Sequence, residues 1–539
     1  DCLLSRGLGD VYKRQKSSDR TGVCMVTSGP GITNMITPIL DAKNDSTPLV
    51  VFSGQVSLEA LGKNSFQEAP SVMLTQHITK WSHQIKDIHE IESVVDRAFS
   101  IANEGKKGPV HIDIPKCISY QNYEPKLSEM YRKQNIKTES TNNMFICEEK
   151  IKHVADIINK SKQPIIMLGQ GCYGASSLLG HFAVLSDIPV ASTIHGCGIF
   201  DENHDLSLRW CGMHGSAAAN YAIQQSDLII ALGSRFDDRT TGNINYYAPE
   251  AIKASNNGTG GIIHVNIEKK ELNFVVESDY NFNTDCSLFL KSIIPFIKSR
   301  KRNTWTTHIS SLKSKYPFLL KKDKKNLHME DVLDVFNTKT QDKNVIFTAG
   351  VGNHQMQAYQ FIKSQYPKKI ISSGSLGVMG TGLPYSIGTQ IANPDKLVID
   401  IDGDSSFNMT LNDLKTIKEY KLPIKIVVMN NNAQMMVSVW EQLYFGERYT
   451  ATLNNNNPDY ASLARSFGIR GIRCNNRKYL EETITHIIEY DGPILCEFQI
   501  EKDICLPLVG PGNALDDMLL PEEQNYKKIY NLSNGLAPS

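Results

Sequence analysis

Two short stretches carry groups that could hold a cation and a phosphate. Asp402-Gly403-Asp404-Ser405-Ser406-Phe407-Asn408 follows the apolar run Leu397 to Ile401, and Asn430-Asn431 closes a second run, Ile424 to Met429. A helix-length gap separates them. That spacing suits a strand, helix, strand passage that returns both side chains to one edge of a parallel sheet. The Asp404 carboxylate and the Asn431 amide oxygen are hard ligands, suited to Mg2+ with its remaining shell from water and phosphate. A diphosphate would face the free N–H groups of a helix starting after Ser406. Read alone, these residues also describe a Gly-Asp turn and an Asn-rich turn with no ligand.

The elements that must position them are legible as apolar runs ending in glycine or polar residues. Val23–Val26 precedes Thr27-Ser-Gly-Pro-Gly31, Leu49–Phe52 precedes Ser53-Gly-Gln55, and Val110–Ile114 precedes Pro115. Ile165–Leu168 runs into Gly169-Gln-Gly171, Leu228–Leu232 into Gly233-Ser-Arg235, and Val345–Phe347 into Thr348-Ala-Gly-Val-Gly352; Ile494–Phe498 is the last. Continuous runs mark strands buried on both faces, and ligands gather at their carboxyl ends. The reading is α/β throughout, in blocks 16–120, 146–298 and 328–520. Polar stretches 121–145 and 299–327 read as connections, and 521–539 as a tail. Residues 1–15 show neither a signal-peptide core nor an amphipathic pattern and read as an unmatched, foreign leader.

Composition excludes some classes. Lys+Arg 57 balances Asp+Glu 57 over 539 residues, which leaves no electrostatic footprint for nucleic acid or an anionic membrane. No apolar stretch approaches the roughly 18 residues of a membrane span. The 11 cysteines are scattered without a Cys-x-x-Cys pair and read as reduced, mostly buried thiols.

From about Gly22 to Met518 the chain resembles the catalytic subunits of the acetolactate (acetohydroxyacid) synthase family, which depend on thiamine diphosphate. Thr27-Ser-Gly-Pro-Gly-Ile-Thr-Asn34, Phe66-Gln-Glu68, Thr79-Lys80 and Gly108-Pro-Val-His-Ile-Asp-Ile-Pro115 match the first domain. Gly212-Met-His-Gly215 and Ser234-Arg-Phe-Asp-Asp-Arg-Thr-Thr-Gly242 match a central FAD-binding domain. Two arginines flanking two aspartates just past a buried strand are costly unless paired or liganded. Gly350-Val-Gly-Asn-His-Gln-Met356, Gly374-Ser-Leu-Gly-Val-Met379 and Gln434-Met-Met-Val-Ser-Val-Trp440 match the last domain. The resemblance implies three doubly wound parallel-sheet domains.

It also implies roles. Phe66, Gln67, Lys80, Gly377, Met379 and Trp440 would serve the reaction; Trp440 matches the tryptophan that favours a larger second ketoacid. Thiamine diphosphate would contact Val351, Gly352, Asn353, His354, Gly377, Met379, Gly403, Asp404, Ser405, Ser406, Asn431, Gln434 and Met436. Mg2+ would sit on Asp404, Asn431 and the main-chain carbonyl of Ala433. FAD, with no net part in the reaction, would contact Lys106, Gly169, Gly171, Gly212, Met213, His214, Gly233, Arg235, Asp238, Arg239, Asn266 and Asp285. The implied reaction joins two pyruvates, or pyruvate and 2-ketobutyrate, with CO2 release, in branched-chain amino acid biosynthesis. The implied partners are a second copy of the chain and a regulatory small subunit. Bacterial cytoplasm, mitochondrion and plastid all suit the family.

The chain departs from the family at Met435 and Asn353, where glycine and glutamine are usual, and at Lys106, which keeps an arginine's charge without its fork. The family's activating glutamate falls at about Leu4, inside the leader, and the first glutamate present is Glu59. The expectation is a truncated chain of little activity. Two other readings stand beside this one: another thiamine diphosphate carboligase or decarboxylase, and a catalytically silent cofactor-binding homologue.

Overall fold

The computed structural model describes residues 17, 20–123, 146–320 and 325–521. Strands β1 (Gly22–Val26), β2 (Leu49–Gln55), β3 (Trp81–Gln84) and β4 (Pro109–Pro115) form a parallel sheet in the order β1-β2-β4-β3. The second parallel sheet holds β5 (Pro164–Leu168), β6 (Val190–Ser192), β7 (Ser207–Trp210), β8 (Leu228–Leu232), β9 (Gly261–Asn266) and β10 (Tyr280–Asn283), ordered β10-β9-β8-β5-β6-β7. The third holds β11 (Val345–Ala349), β12 (Ile370–Ser372), β13 (Leu397–Gly403), β14 (Lys425–Asn430), β15 (Arg470–Cys474) and β16 (Ile494–Gln499), ordered β12-β11-β13-β14-β16-β15 and again parallel. An antiparallel pair, β17 (Leu508–Val509) and β18 (Met518–Leu519), follows. The architecture is three parallel α/β sheets, as expected.

Each apolar run expected as a strand is one. The strands without such a run are short, at a sheet edge, or interrupted by polar residues. β3, β10 and β15 stand at edges, where one side of the strand has no neighbour and polar residues are tolerated. β9 lies inside its sheet and buries His264 with its apolar residues.

Connectivity creates a switch point in each of the two larger sheets. From β5 the chain goes to β6 on one side and later returns to β8 on the other; from β11 it goes to β12 and returns to β13. Crevices of this kind, at the carboxyl ends of strands, are where open α/β sheets take ligands. The Gly169 and Gly233 loops stand at the first, the Gly350 and Gly403 loops at the second.

Contacts group the chain into two compact bodies, Asp1–Phe145 with Ser375–Val378, and Ile146–Gly374 with Met379–Ser539. The stretch 299–327, expected as a charged and partly helical connection, carries helix Asn303–Lys315. Its Trp305, Ile309 and Leu312 pack into the central apolar cluster with Ala218, Ile223 and Ile229, so much of that segment is core. The ten described cysteines are all free thiols, eight of them buried. Among the described residues no helix is long and apolar enough to cross a membrane.

Candidate active site

At the switch point of the third sheet a cavity is lined by three loops that leave adjacent strands. β11 delivers Val351 and Gly352, then Asn353 and His354 at the start of helix Asn353–Phe361. β13 delivers Gly403, Asp404, Ser405 and Ser406; β14 delivers Asn431, with Ala433, Gln434 and Met436 beyond it. Met379 completes this wall. The register explains the meeting: Ala349 pairs with Ile401 and Gly403 with Met429, so the strand ends are level. A helix begins at Asp404, not after Ser406 as expected. A Cβ at Gly403 would fall 2.6 Å from His354 Nδ1, so glycine is required for these two loops to close together.

Asp404, Asn431 and His354 are all buried. Burial pushes the Asp404 carboxyl above its usual range, while amide hydrogen bonds from Asn457 and Asn454 pull it back. His354 Nε2 lies 3.4 Å from Oδ1 of Asp402. Burial and the neighbouring Asp402 drive the Asp400 carboxyl well above the carboxylate range, and Thr348 Oγ1 donates to it at 2.9 Å. Asn431, whose Oδ1 accepts from Ala433 N at 3.2 Å, shares the lining with Asp404, and a carboxylate with an amide oxygen is a donor set that suits a hard divalent cation. Ser406 Oγ accepts from Gly380 N at 2.9 Å, which anchors the loop bearing Met379.

Trp440 lies outside that lining. It sits on helix Met435–Tyr444, one turn beyond Met436 on the same face, and stacks on Tyr444 at 5.2 Å between ring centroids. It packs against a small apolar cluster of Ala433, Met435, Val439, Leu443 and Leu508 that Met213 also touches.

The central-domain residues also gather at strand ends. A Cβ on Gly169 would fall 2.2 Å from Gly233 O, and one on Gly171 2.7 Å from Gly233 Cα. The packing of these two loops therefore suffices to require glycine, with no nucleotide invoked. Met213 N donates to Arg239 O at 2.8 Å, and Gly212 meets the same carbonyl. His214 is buried and lowered to about 4, chiefly by burial and then by Arg239. Asn266 Nδ2 donates to Ser234 O at 2.9 Å, and Asp285 caps helix Cys286–Ile293. The cost argued for the Arg235 to Arg239 run does not arise. Asp238 and Arg239 have side chains 82% and 66% exposed and stand 3.8 Å apart, so water solvates them. Asp237 Oδ1 accepts from Thr240 N and caps the next turn.

In the first body the turn at Gly29 abuts Gln67, whose φ is +61, and Phe66 is 89% exposed. Lys80 is directed elsewhere: its Nζ donates to Glu104 O at 2.5 Å and its stem lies against Gly108, beside the turn that carries Lys106. Gly377, at φ +70, belongs to the stretch grouped with this body. The expected glutamate position at Leu4 lies outside the described residues.

Sequence reading missed Met329, Met429 and Val437, which line the cavity, and Asn454 and Asn457, which reach Asp404. The asparagines come from Asn454-Asn-Asn-Asn457, which reads as a plain polar turn.

Family models for thiamine pyrophosphate enzymes match three segments: the N-terminal TPP binding domain at residues 7–74, the central domain at 151–293 and the C-terminal TPP binding domain at 350–498. The first match begins inside the stretch 1–15. Fold and site thus define a thiamine diphosphate-dependent enzyme. The chain is 38% identical over 517 residues to the mitochondrial acetolactate synthase catalytic subunit of Saccharomyces cerevisiae, covering 94% of this chain and 75% of that one. It is 39% identical over 521 residues to the mitochondrial acetolactate synthase of Schizosaccharomyces pombe (93% and 77% covered), and 36% over 528 to the acetolactate synthase large subunit of Porphyra purpurea (95% and 85%). The chain belongs to the acetolactate synthase family.

Proposed function

We propose that this chain condenses two 2-ketoacids with loss of CO2, joining two pyruvates, or pyruvate and 2-ketobutyrate, into a 2-aceto-2-hydroxyacid for branched-chain amino acid synthesis. The observation that carries the reading is the convergence of His354, Met379, Asp404, Asn431 and Gln434 on one cavity at the third sheet's switch point. Asp404, Asn431 and the Ala433 carbonyl would hold Mg2+. Gly352, Asn353, His354, Ser405 and Ser406 would hold the diphosphate, with Met379 and Met436 against the body of the cofactor. Thiamine diphosphate, when bound, supplies a nucleophilic carbon and an electron sink for decarboxylation. The chain's own residues would orient the donor, exclude water and bound the acceptor, the last through Trp440. Phe66 and Gln67, presented beside the Gly29 turn, are the candidates from the first body; Lys80 has the weaker case because its ammonium is engaged at Glu104.

FAD is proposed for the switch point of the second sheet. The support is the gathering there of Gly212, Met213, Arg235, Arg239 and Asn266. Relatives named catalytic or large subunit support a regulatory partner, and a second copy of the chain would complete the cofactor site. Relatives named mitochondrial and chloroplastic support an organelle as the place of action.

The test is product identity. The purified chain with thiamine diphosphate, Mg2+ and FAD is given pyruvate, then pyruvate with 2-ketobutyrate, and products are resolved by mass. Acetolactate and acetohydroxybutyrate are expected. Acetaldehyde without condensation product would overturn the reading.

A further inference from the structure

The carboxylate of Asp404 is gripped from a loop that the thiamine motif does not include. Asn457 Nδ2 lies 2.6 Å and Asn454 Nδ2 3.3 Å from the same oxygen, Oδ2. Asn457 Nδ2 also lies 3.1 Å from Asn430 Oδ1 and 3.3 Å from Asn432 Oδ1. All three neighbours are acceptors, so the amide's orientation follows from its surroundings. Asn454 Nδ2 reaches Ser405 Oγ at 2.5 Å as well. One side chain therefore touches both halves of the motif, Asp404 on one strand end and the residues flanking Asn431 on the next.

The loop holding these amides is itself registered by the backbone. Gln434 N donates to Thr452 O and Asn454 N to Asn432 O, each at 2.8 Å, around an antiparallel bridge between Ala433 and Leu453. The Asn430 to Ala433 turn and the Thr452 to Asn457 turn are thus fastened side by side, and the second turn's amides reach Asp404. Because both amides approach Oδ2, they fix the rotation of the carboxylate and leave Oδ1 as the oxygen neither of them claims. A ligand held in one rotation costs a cation less to organise than one that swings.

We propose that Asn457, assisted by Asn454, is a positioning residue that sets Asp404 and the Asn431 turn for a divalent cation. The proposal rests on the metal reading of Asp404 and Asn431 given above, and Asn457 does not touch the ion or the substrate.

The probe is Mn2+, added to the full chain with thiamine diphosphate and followed by loss of the free-ion paramagnetic resonance spectrum. Asn457→Ala is expected to weaken Mn2+ binding about 10–100-fold, and Asn454→Ala by less. The melting temperature of the metal-free chain should stay close to the parent's, and thiamine diphosphate affinity at saturating Mn2+ should be retained. Asn454→Ala serves alone if the first variant does not fold. Affinities for Mn2+ unchanged in both folded variants would overturn the proposal. A parent chain that takes up no Mn2+ would instead remove the metal assignment of Asp404 and Asn431, and the role of Asn457 with it.

Discussion

Nη1 of Arg209 donates to the main-chain oxygen of Gln360 at 2.7 Å, closing the far end of the helix whose first residues line the third sheet's cavity. Nη2 adds Tyr359 O at 3.1 Å. A cation thus satisfies otherwise orphaned carbonyls at the negative end of the helix. Glu202 stands 3.4 Å from Arg209 Nε, with its side chain 2% exposed, and accepts from Ser364 N at 2.9 Å. Removing the arginine leaves that carboxylate buried without it. Arg209→Met should therefore cost about 3 kcal/mol, read as a lower urea midpoint. Adding Glu202→Gln should recover much of the loss, and a double variant no better than the single one would refute the pairing.

Asp404 is held against its own solvation. Burial raises its pKa despite the two amides, so the ionised form is disfavoured in the folded, metal-free chain. Asp404→Asn should raise the urea midpoint in chelator while removing metal-dependent thiamine diphosphate binding. A variant that is destabilised in chelator, or that still binds with Mg2+, would contradict this account of the carboxylate.

Two buried histidines predict an acid-sensitive fold. Burial lowers His111 and His214 to about 4 each, against an ordinary value of 6.5. Between those values the unfolded chain binds the proton and the folded chain does not. Their contribution is therefore present above pH 6.5 and lost as pH falls toward 4, about 2 kcal/mol each by pH 5. His111 bridges Ser53 Oγ and Thr75 Oγ1, each at 2.8 Å, in a network with the buried Asp113. His111→Gln should flatten part of the slope of urea midpoint against pH. A midpoint equal at pH 7 and pH 5 would count against both assignments.

Trp440 should act on choice of acceptor and not on cofactor binding, since it lies outside the cavity lining and one turn from Met436. Trp440→Leu is expected to reduce the preference for 2-ketobutyrate over pyruvate about tenfold in a mixed-substrate product ratio. Thiamine diphosphate affinity should be unchanged. A ratio that does not move would make Trp440 ordinary packing with Tyr444.

The residues legible in the sequence are those whose setting repeats a strong local pattern. β13 and β14 are buried on both faces, so they read as unbroken apolar runs, and the loops after them carry Asp404 and Asn431 because that edge is where ligands meet a parallel sheet. What escaped has no such pattern. Asn457 belongs to a run of asparagines without periodicity, and only the Ala433 to Leu453 bridge brings it to Asp404. Arg209 adopts a φ of +63 at the end of a short strand, a conformation that a lone arginine does not announce. The Arg235 to Arg239 run misled in energy: a position just past a buried strand suggested burial, whereas the turn carries Asp238 and Arg239 out into water. The glycines at 169, 171 and 233 were correctly placed at strand ends, yet their loops pack on each other closely enough to require glycine by themselves.

In the proposed site the Asp404 and Asn431 loops would bind thiamine diphosphate in a metal-dependent way. Isothermal calorimetry of thiamine diphosphate into the full chain, with Mg2+ and then with chelator, tests it without needing turnover. Saturable binding that requires Mg2+ and disappears in Asp404→Ala is expected. No binding in Mg2+, or binding indifferent to both Mg2+ and Asp404, would contradict it.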